Sequence, residues 1–264
     1  MIQLTQKEFK DNYYIKSKRT PYFLIINILA HISIITAIFY AEWWMWALGF
    51  LWGYWINMTC YAAGYHRYYT HRAFKAPRWY DYYFQFMALF GNPGPAIIWR
   101  GIHTLHHKYS DTRFDPHSPK DRGFWNVWTM GMRAGLTFWP PTRDDLVDWI
   151  RANRKDHIAK WIHSNYLLLI FSIMAVLLLI DPLLFVMGFC VPVFCTHHAS
   201  AIVNAYCHRT GKALNEELAG FVTVGEGYHL NHHEDPSNYT TLPESHKWWQ
   251  FDITGLFIKM IRKT

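Results

Sequence analysis

Histidine is concentrated in three short segments of the 264-residue chain. The segments read HRYYTH (66–71), HTLHH (103–107) and HLNHH (229–233), and their histidines are His66, His71, His103, His106, His107, His229, His232 and His233. In the second and third segments, three histidines occupy positions i, i+3 and i+4, which share one face of an α-helix. Neutral imidazole is a common metal ligand. We therefore predict that the three segments converge on a metal site.

The number of imidazoles exceeds the four ligands that a single zinc ion takes, so the pattern predicts two metal ions. His208, at the end of an apolar segment, is a further candidate ligand. Asn204, one helical turn earlier, is a candidate to bind metal through a water molecule. Imidazole suits iron, copper, nickel or zinc, so the ligands alone leave the metal open. We interpret the remaining histidines as ordinary core or surface residues: His31, His117, His157, His163, His197, His198 and His246.

Motifs of several other chemistries do not occur in the sequence. It has no HExxH, the motif that carries the general base of zinc peptidases. It has no GxGxxG and no Walker loop, so nucleotide binding through those elements is unsupported. The cysteines form no CxxC pair, and we interpret them as core residues: Cys60, Cys190, Cys195 and Cys207.

The elements that must position these residues are helices in a membrane. The chain is 51% hydrophobic and 19% aromatic, and roughly 20 apolar residues span a bilayer. The apolar segments predict four transmembrane helices in two hairpins, at 22–41, 43–64, 165–180 and 183–205, with the fourth kinked at Pro192. All 26 Lys and Arg lie outside these hairpins, which indicates a cytosolic location for 1–21, 65–164 and 206–264. We predict an all-α integral membrane protein with a helical cytosolic cap and a single domain, 1–264.

Two further segments are expected to lie at the membrane surface. Residues 79–99 are long enough to cross, but a crossing would separate HRYYTH from HTLHH. We therefore predict an interfacial or re-entrant helix there, broken at GNPGP. The amphipathic segment 247–263 is also expected on the surface. The net charge of +7 suits anionic lipids, an acidic redox partner or an acidic acyl carrier, and needs no nucleic acid.

The three histidine segments, in this order and separated by two hairpins, resemble the histidine boxes of the membrane fatty acyl desaturases. WRGIHTLHHKYSDTRFDPHSP, VNAYCH, GEGYHLNHH and WWQFD are similar to further parts of that family. The resemblance is nearest to the stearoyl-CoA-desaturase-like branch. It implies four transmembrane helices under a cytosolic cap, a di-iron centre and O2-dependent insertion of a cis double bond, of the delta-9 type.

The resemblance also implies a grouping of the ligands. One iron would be held by His66, His71, His103, His107 and His229. The other would be held by His106, His208, His232 and His233, with Asn204 through water. No catalytic residue beyond the metal ligands is expected, because an unactivated methylene offers no acidic proton and side-chain acids and bases cannot start the reaction.

The expected partners are a lipid bilayer, a fatty acyl substrate carried as acyl-CoA, acyl-ACP or acyl-lipid, and a separate electron donor such as ferredoxin or cytochrome b5. A bacterial inner membrane is preferred to the endoplasmic reticulum. A substrate tunnel could use the face formed by Trp52, Trp55, Ile56, Thr59 and Ala63, although ordinary packing is the favoured interpretation. Carrier phosphates could meet four basic residues, unless these are solvated interface charges: Arg72, Lys75, Arg100 and Lys108.

Three alternatives stay open. A hydroxylase or acetylenase would share the same hydrogen abstraction. A non-catalytic membrane metal-binding protein would keep the ligands without a tunnel. A transporter is the weakest alternative, because the predicted spans carry no ionisable pair beyond single histidines.

Overall fold

The structure is a computed structural model that describes residues 20–129, 143–153, 156–243 and 245–263. Within these ranges the regular structure is helical, apart from one antiparallel bridge between Asn215 and Tyr228. The α-helices, in chain order, are α1 (Thr20–Ala37), α2 (Trp43–Ile56), α3 (Trp79–Ala88), α4 (Ala96–Tyr109), α5 (Pro119–Arg122), α6 (Phe124–Trp128), α7 (Arg143–Asn153), α8 (His157–Ile180), α9 (Pro182–Phe185), α10 (Val191–Ala201), α11 (Glu217–Val222), α12 (His229–Glu234) and α13 (Ile253–Ile261). Three π-helices continue or link them: π1 (Asn57–Thr70), π2 (Val186–Cys190) and π3 (Ile202–Tyr206).

Two helices are long and apolar enough to cross a membrane. They are His157–Ile180, which is α8, and Pro182–Tyr206, which runs from α9 to the end of π3. In the most apolar 18-residue stretch of α8, only 17% is buried, so most of this stretch faces away from the rest of the protein. In the first predicted hairpin, the apolar part of α1, Pro21–Ala37, is shorter than a full span. The second hairpin is therefore supported as a pair of spans, and the four-span topology remains a prediction.

The first hairpin still exposes large apolar side chains. Ile35 is 60% exposed and Leu51 is 66% exposed. Exposed apolar surface of this kind indicates contact with lipid or with another protein. At the turn between α1 and α2, Phe39, Tyr40 and Trp43 are also exposed, as is common for aromatic residues at a membrane interface.

Close packing of α2 on α10 joins the two hairpins. A Cβ added at Gly53 would lie 2.7 Å from Cys195 Sγ, so the backbone of α2 approaches α10 to a distance that a larger side chain prevents. Gly49, one turn earlier, faces Met187 in the same way. Small residues at such contacts let membrane helices pack tightly. All four cysteines are free, and three of them are buried, which agrees with their prediction as core residues.

The segment around Pro192 departs from α-helical geometry. The amide of Val191 bonds to the carbonyl of Val186, five residues earlier, as in a π-helix. Pro192 follows directly and has no amide hydrogen of its own. A π-helical turn next to a proline is a known cause of helix kinks, and the kink predicted at Pro192 stays a prediction.

The break predicted at GNPGP is confirmed. Helix α3 ends at Ala88, a short turn follows, and Asn92 and Gly94 adopt positive φ angles of 49° and 85° before α4 begins at Ala96. The amphipathic character of the C-terminal segment is confirmed in α13, which buries Phe257 and exposes Met260. This helix packs on π1.

We expect Gly53→Ala to destabilise the protein by about 1–3 kcal/mol, because the new methyl group overpacks the contact with Cys195. Gly188→Ala is the matched control, since a Cβ there meets its nearest neighbour, Leu177, at 3.7 Å. Thermal unfolding in the same detergent measures both. Equal unfolding temperatures for the two variants would contradict the close approach of α2 to α10.

Candidate metal centre

Nine imidazoles form two adjacent groups on the side of the helices away from the hairpin turns. Group A consists of His66, His71, His103, His107 and His232. Group B consists of His106, His208, His229 and His233. Within each group the candidate ligand nitrogens all lie within 4.8 Å of one another. All nine histidines predicted from the sequence are therefore brought together.

Group A is a chain of Nε2 contacts. His232 Nε2 lies 2.8 Å from His66 Nε2 and 2.9 Å from His107 Nε2. His103 Nε2 lies 3.1 Å from His107 Nε2 and 3.0 Å from His71 Nε2. Nitrogens bound to one metal at about 2.0–2.1 Å have this kind of separation.

Group B is similar but more open. His233 Nε2 lies 3.2 Å from His106 Nε2 and 3.1 Å from His229 Nε2. His208 Nε2 is buried and has no hydrogen-bonding partner among the described residues. Its ring centroid is 4.8 Å from the rings of His106 and His229. The unpartnered nitrogen is thus directed toward the other imidazoles of its group.

The grouping differs from the one expected from the resemblance. His232 belongs to group A and His229 to group B, the reverse of the expectation. In each HxxHH segment, the i and i+4 histidines stay together and the i+3 histidine joins the other group. Positions i and i+4 differ by about 40° around the helix axis, whereas position i+3 lies about 100° from i+4, at the other edge of the same face. Each segment therefore bridges both groups.

His66 and His71 are five residues apart, a spacing that an α-helix does not align. In π1 the hydrogen bonds run from i to i+5, and the amide of His71 bonds to the carbonyl of His66 at 3.2 Å. Their ring centroids are 4.9 Å apart. The π-helical geometry thus directs both imidazoles into group A.

Three carboxylates set the orientation of three imidazoles. Glu226 contacts His66 Nδ1, Asp115 Oδ1 lies 2.9 Å from His106 Nδ1, and Asp111 Oδ2 lies 3.0 Å from His208 Nδ1. An ionised carboxylate only accepts hydrogen bonds, so each Nδ1 carries the proton and each Nε2 presents a lone pair. Carboxylates that face the outer ring nitrogen are typical of metal-bound histidines.

Hydrogen bonding alone does not satisfy group A. His66 Nε2 is a lone pair, so His232 must donate its single Nε2 hydrogen to it, and that hydrogen cannot also make a good hydrogen bond to His107. His103 is in the same position between His107 and His71, so four contacts share at most two donor hydrogens. A cation placed among the nitrogens satisfies every lone pair at once, so the donor set fits a metal ion.

The environment of seven of the nine imidazoles lowers their pKa and so favours the neutral form, which is the form that binds metal. Burial, followed by repulsion from neighbouring imidazoles, holds the pKa of His103, His229 and His232 well below the usual value. Burial also lowers the pKa of His71 and His233, each to about 2. Desolvation disfavours a charged imidazole in each case.

The carboxylates of Glu226 and Asp115 also have lowered pKa values, but for a carboxylate this favours the ionised form. Burial alone would raise the pKa of Glu226, but its interactions with His66 and Arg67 outweigh burial and lower the pKa to about 2. The pKa of Asp115 is lowered to about 2 against burial, first by its hydrogen bond with His106. These buried anions supply negative charge beside the neutral ligand groups.

Arg67 connects the centre to the C-terminal region. Its guanidinium donates to Glu226 Oε1 at 2.7 Å, to Asp252 Oδ2 at 2.5 Å and to the carbonyl of Tyr239 at 2.8 Å. Arg67 is 1% exposed, and its ion pairs raise its pKa above the ordinary value although burial, the largest single effect, lowers it. A buried charge needs partners of this quality. The WWQFD segment therefore contributes Asp252 to the support of His66.

The GEG sequence before His229 is explained by close approach of the backbone. Gly225 has a φ angle of 106°, and a Cβ there would lie 2.1 Å from Asp252 Oδ1. A Cβ at Gly227 would lie 2.1 Å from the amide nitrogen of Gly220. Neither position admits a side chain, and between them Glu226 is held against His66.

A cavity of about 170 Å³ extends from the centre between α1, α4, α8 and α10. At one end it is lined by His66, His103, His229, Glu226 and Asn204. Asn204 is half-buried on π3, and its role as a water-linked ligand stays a prediction. The cavity wall continues with apolar side chains: Phe23, Ile26, Ile98, Ile102, Leu167 and Val203.

The helix face considered for a substrate tunnel does not line this cavity. It consists of Trp52, Trp55, Ile56, Thr59 and Ala63. Ile56 and Ala63 are buried in the core, and Thr59 bonds to the carbonyl of Trp55. The indole of Trp55 donates to Tyr83, and that of Trp52 donates to the carbonyl of Gly188. Packing is therefore the correct interpretation of this face.

Two of the four basic residues considered for carrier phosphates are engaged elsewhere. Arg100 is 9% exposed and donates to the carbonyls of Tyr69 and Ala152. Lys108 pairs with Asp145 Oδ1 at 2.5 Å. Arg72 and Lys75 are exposed.

Sequence reasoning missed the supporting residues. Glu226 and Asp115 lie in segments quoted only for their resemblance, and Arg67 lies inside the first histidine segment. The available signal was an acidic residue within a few positions of several histidines. Of the histidines set aside, His117, His163 and His197 line the cavity.

The fold and site together define a helical, membrane-associated protein with a histidine-rich centre that could hold metal. The sequence pattern of fatty acid desaturases matches residues 41–252. This chain therefore belongs to the fatty acid desaturase family, whose members are oxidoreductases.

Several relatives have named activities. An acyl-CoA 5-desaturase of Anemone leveillei is 30% identical over 230 residues, which cover 79% of this chain and 68% of the relative. An sn-1 stearoyl-lipid 9-desaturase of Synechocystis is 28% identical over 207 residues, or 75% of this chain and 63% of the relative. A hex-5-enoyl-(acyl-carrier protein) acetylenase of Moorena producens is 28% identical over 277 residues, or 92% of this chain and 83% of the relative.

We expect Glu226→Gln to weaken metal binding at group A by about 10- to 100-fold, because His66 loses the carboxylate that fixes its tautomer. Titration of the metal-free protein with Fe²⁺ under anaerobic conditions measures the two affinities. Glu216→Gln is the control, since Glu216 pairs with Arg209 at the surface. Equal binding by the two variants would show that Glu226 does not support the ligand.

Proposed function

We propose that this protein is an O2-dependent fatty acyl desaturase that introduces a cis double bond, of the delta-9 type, at a di-iron centre. The observation that carries the proposal is the pairing of two all-imidazole groups with an apolar cavity that begins at His66, His103 and His229. We also propose that residues 1–264 act as a single membrane domain with its active site on the cytosolic face. A bacterial inner membrane is the preferred location.

Two iron ions would be held by the nine imidazoles of groups A and B. Asn204 would act through water at group B, since it lies one helical turn before His208. The chemistry that bound iron supplies is oxidation of an unactivated carbon–hydrogen bond with O2 and two electrons. In the balanced reaction, two hydrogen atoms from adjacent carbons, two electrons and two protons reduce O2 to two water molecules.

The protein's own residues have three tasks in this reaction. The carboxylates of Glu226, Asp115 and Asp111 hold three imidazoles in the orientation that presents Nε2. The apolar wall of the cavity excludes water from the reacting carbons. The same wall orients the chain so that two adjacent methylenes lie beside the centre. No side-chain acid or base is required, because no proton of the methylene is acidic.

The substrate is proposed to be a fatty acyl chain on CoA, acyl carrier protein or a lipid, and electrons would come from a separate donor such as ferredoxin or cytochrome b5. The names of the relatives include all three carriers, so the carrier is left to experiment. Exposed Arg72 and Lys75 suit an anionic carrier or an acidic donor.

An acetylenase is the second candidate. The acetylenase from Moorena producens matches 92% of this chain, a larger share than the acyl-CoA 5-desaturase. The two reactions share the removal of hydrogen from adjacent carbons. They differ in whether those carbons are already joined by a double bond.

Expression in a host without an aerobic desaturase, with a ferredoxin and its reductase, tests the proposal. Mass spectrometry that locates double bonds in total fatty acids is the measurement. A new cis-monounsaturated acid is expected, and a triple bond would favour the acetylenase. No new acid from a protein that contains two irons and receives electrons would contradict the proposal for the acyl chains present.

We expect His232→Ala to abolish the product and reduce bound iron, because His232 contacts both His66 and His107 in group A. His246→Ala is the control, since His246 is exposed and its Nδ1 lies 2.9 Å from the carbonyl oxygen of Pro243. Iron analysis and fatty acid analysis of the same membranes separate metal loss from misfolding. Full activity in His232→Ala would refute the ligand assignment.

A further inference from the structure

Helices α3 and α13 pack on π1, the π-helix that carries the first histidine segment, and each exposes an apolar face. On α3 the exposed residues are Trp79, Tyr82 and Phe86, which recur at i, i+3 and i+7 and share one side of the helix. On α13 they are Leu256 and Met260, one turn apart, and Met260 is 77% exposed. Exposed apolar faces of this size mark contact with lipid or with another protein.

Trp55 of α2 joins the two helices. Its indole nitrogen donates to Tyr83 Oη of α3 at 2.8 Å, and the centroid of its ring lies 6.1 Å from that of Phe257 in α13. Beyond the end of α13, the amide of Lys263 donates to the carbonyl of Lys75, just before α3, at 2.8 Å. Helices α3 and α13 therefore lie side by side on one flank of the helix formed by α2 and π1.

The contact between α3 and α8 relates this flank to a membrane. The ring centroids of Phe86 in α3 and Trp161 in α8 are 6.1 Å apart. Trp161 is the fifth residue of α8, a helix long and apolar enough to cross a membrane, and it is exposed. Aromatic residues near the end of a span are common at the boundary between lipid and water. Helix α3 therefore lies where α8 would enter the lipid.

Four exposed basic residues accompany the apolar faces, and we call them the basic cluster: Lys75, Arg78, Lys259 and Lys263. Lys259 follows Leu256 by three residues and shares its side of α13. Lys263 lies beside Lys75 through the backbone hydrogen bond between them. Among the described residues, no member of the basic cluster forms an ion pair. Their positive charges are therefore not neutralised by this part of the chain.

The acidic residues of the same segments are engaged elsewhere. Asp81 is the only Asp or Glu in 72–86, and it accepts from Tyr69 Oη at 3.0 Å. Asp252 is the only one in 247–263, and it is buried against Arg67. The outer surface of α3 and α13 thus combines apolar side chains with net positive charge.

We propose that the basic cluster binds the headgroup of an anionic phospholipid whose acyl chains lie against the exposed faces of α3 and α13. Such a lipid supplies both a negative charge and apolar chains, whereas an acidic soluble protein matches only the charge. Amphipathic helices with basic and large apolar residues lie in the membrane interface in this way. The inference goes beyond the proposed function and shares with it only the location in a membrane.

Lipid binding tests this without iron and without turnover. The purified full-length protein in detergent is titrated with phosphatidylglycerol and with phosphatidylcholine that carry the same acyl chains. Native mass spectrometry measures each apparent dissociation constant. We expect phosphatidylglycerol to bind about 10- to 100-fold more tightly, since each basic residue near an anionic headgroup contributes about 5-fold. Added salt should reduce this preference, because it screens exposed charges.

The double variant Lys259→Gln/Lys263→Gln should weaken the binding of phosphatidylglycerol about 10- to 30-fold and leave that of phosphatidylcholine within about 2-fold. Both side chains are exposed, so the packing of α13 on π1 is retained. Lys120→Gln/Lys212→Gln is the matched control, because it removes the same charge from exposed residues outside α3 and α13.

If the first variant does not fold, Lys75→Gln/Arg78→Gln tests the basic cluster from the side of α3, with the same expected loss. Equal binding of the two lipids by the unchanged protein would overturn the inference, as would an equal loss in a cluster variant and the control. A cluster variant that keeps the lipid preference but is reduced more slowly by ferredoxin would assign the surface to the electron donor instead. A preference for phosphatidylglycerol combined with no new fatty acid would retain the lipid site and refute desaturation.

Discussion

Nine imidazoles, six buried and three half-buried, with neighbouring ring nitrogens about 3 Å apart are the constraint on which the rest of the structure depends. Neutral imidazoles at this distance oppose lone pair to lone pair unless protons or a cation lie between them. Burial lowers the pKa of His71, His103, His229, His232 and His233 and so disfavours their protonation. The carboxylates beside His66, His106 and His208 hold one proton on the outer nitrogen of each of these three rings. The groups are therefore arranged for a metal ion before one binds.

Two irregular features of the backbone serve this arrangement. The π-helix Asn57–Thr70 aligns two histidines five residues apart. Gly225 permits Asp252 to approach the backbone beside Glu226. π-Helical turns and positive φ angles cost stability in isolation, and they persist where surrounding contacts require them.

The cavity joins two different chemical environments. Near the imidazoles it is lined by residues that hold or face the candidate metal centre, and most of the remaining lining is apolar. Under the proposed function, the apolar wall would hold a chain with its reacting carbons beside the imidazoles.

The sequence alone determined the donor set, the helical class and the break at GNPGP, because helix periodicity, apolar length and turn residues are local properties. It did not determine which imidazole joins which group. His66 and His232 are 166 residues apart, and Arg67 and Asp252 are 185 apart. It also could not decide between a tunnel and packing for the face around Thr59. These features depend on how distant helices pack, since only packing sets the distance between side chains that the chain order leaves far apart.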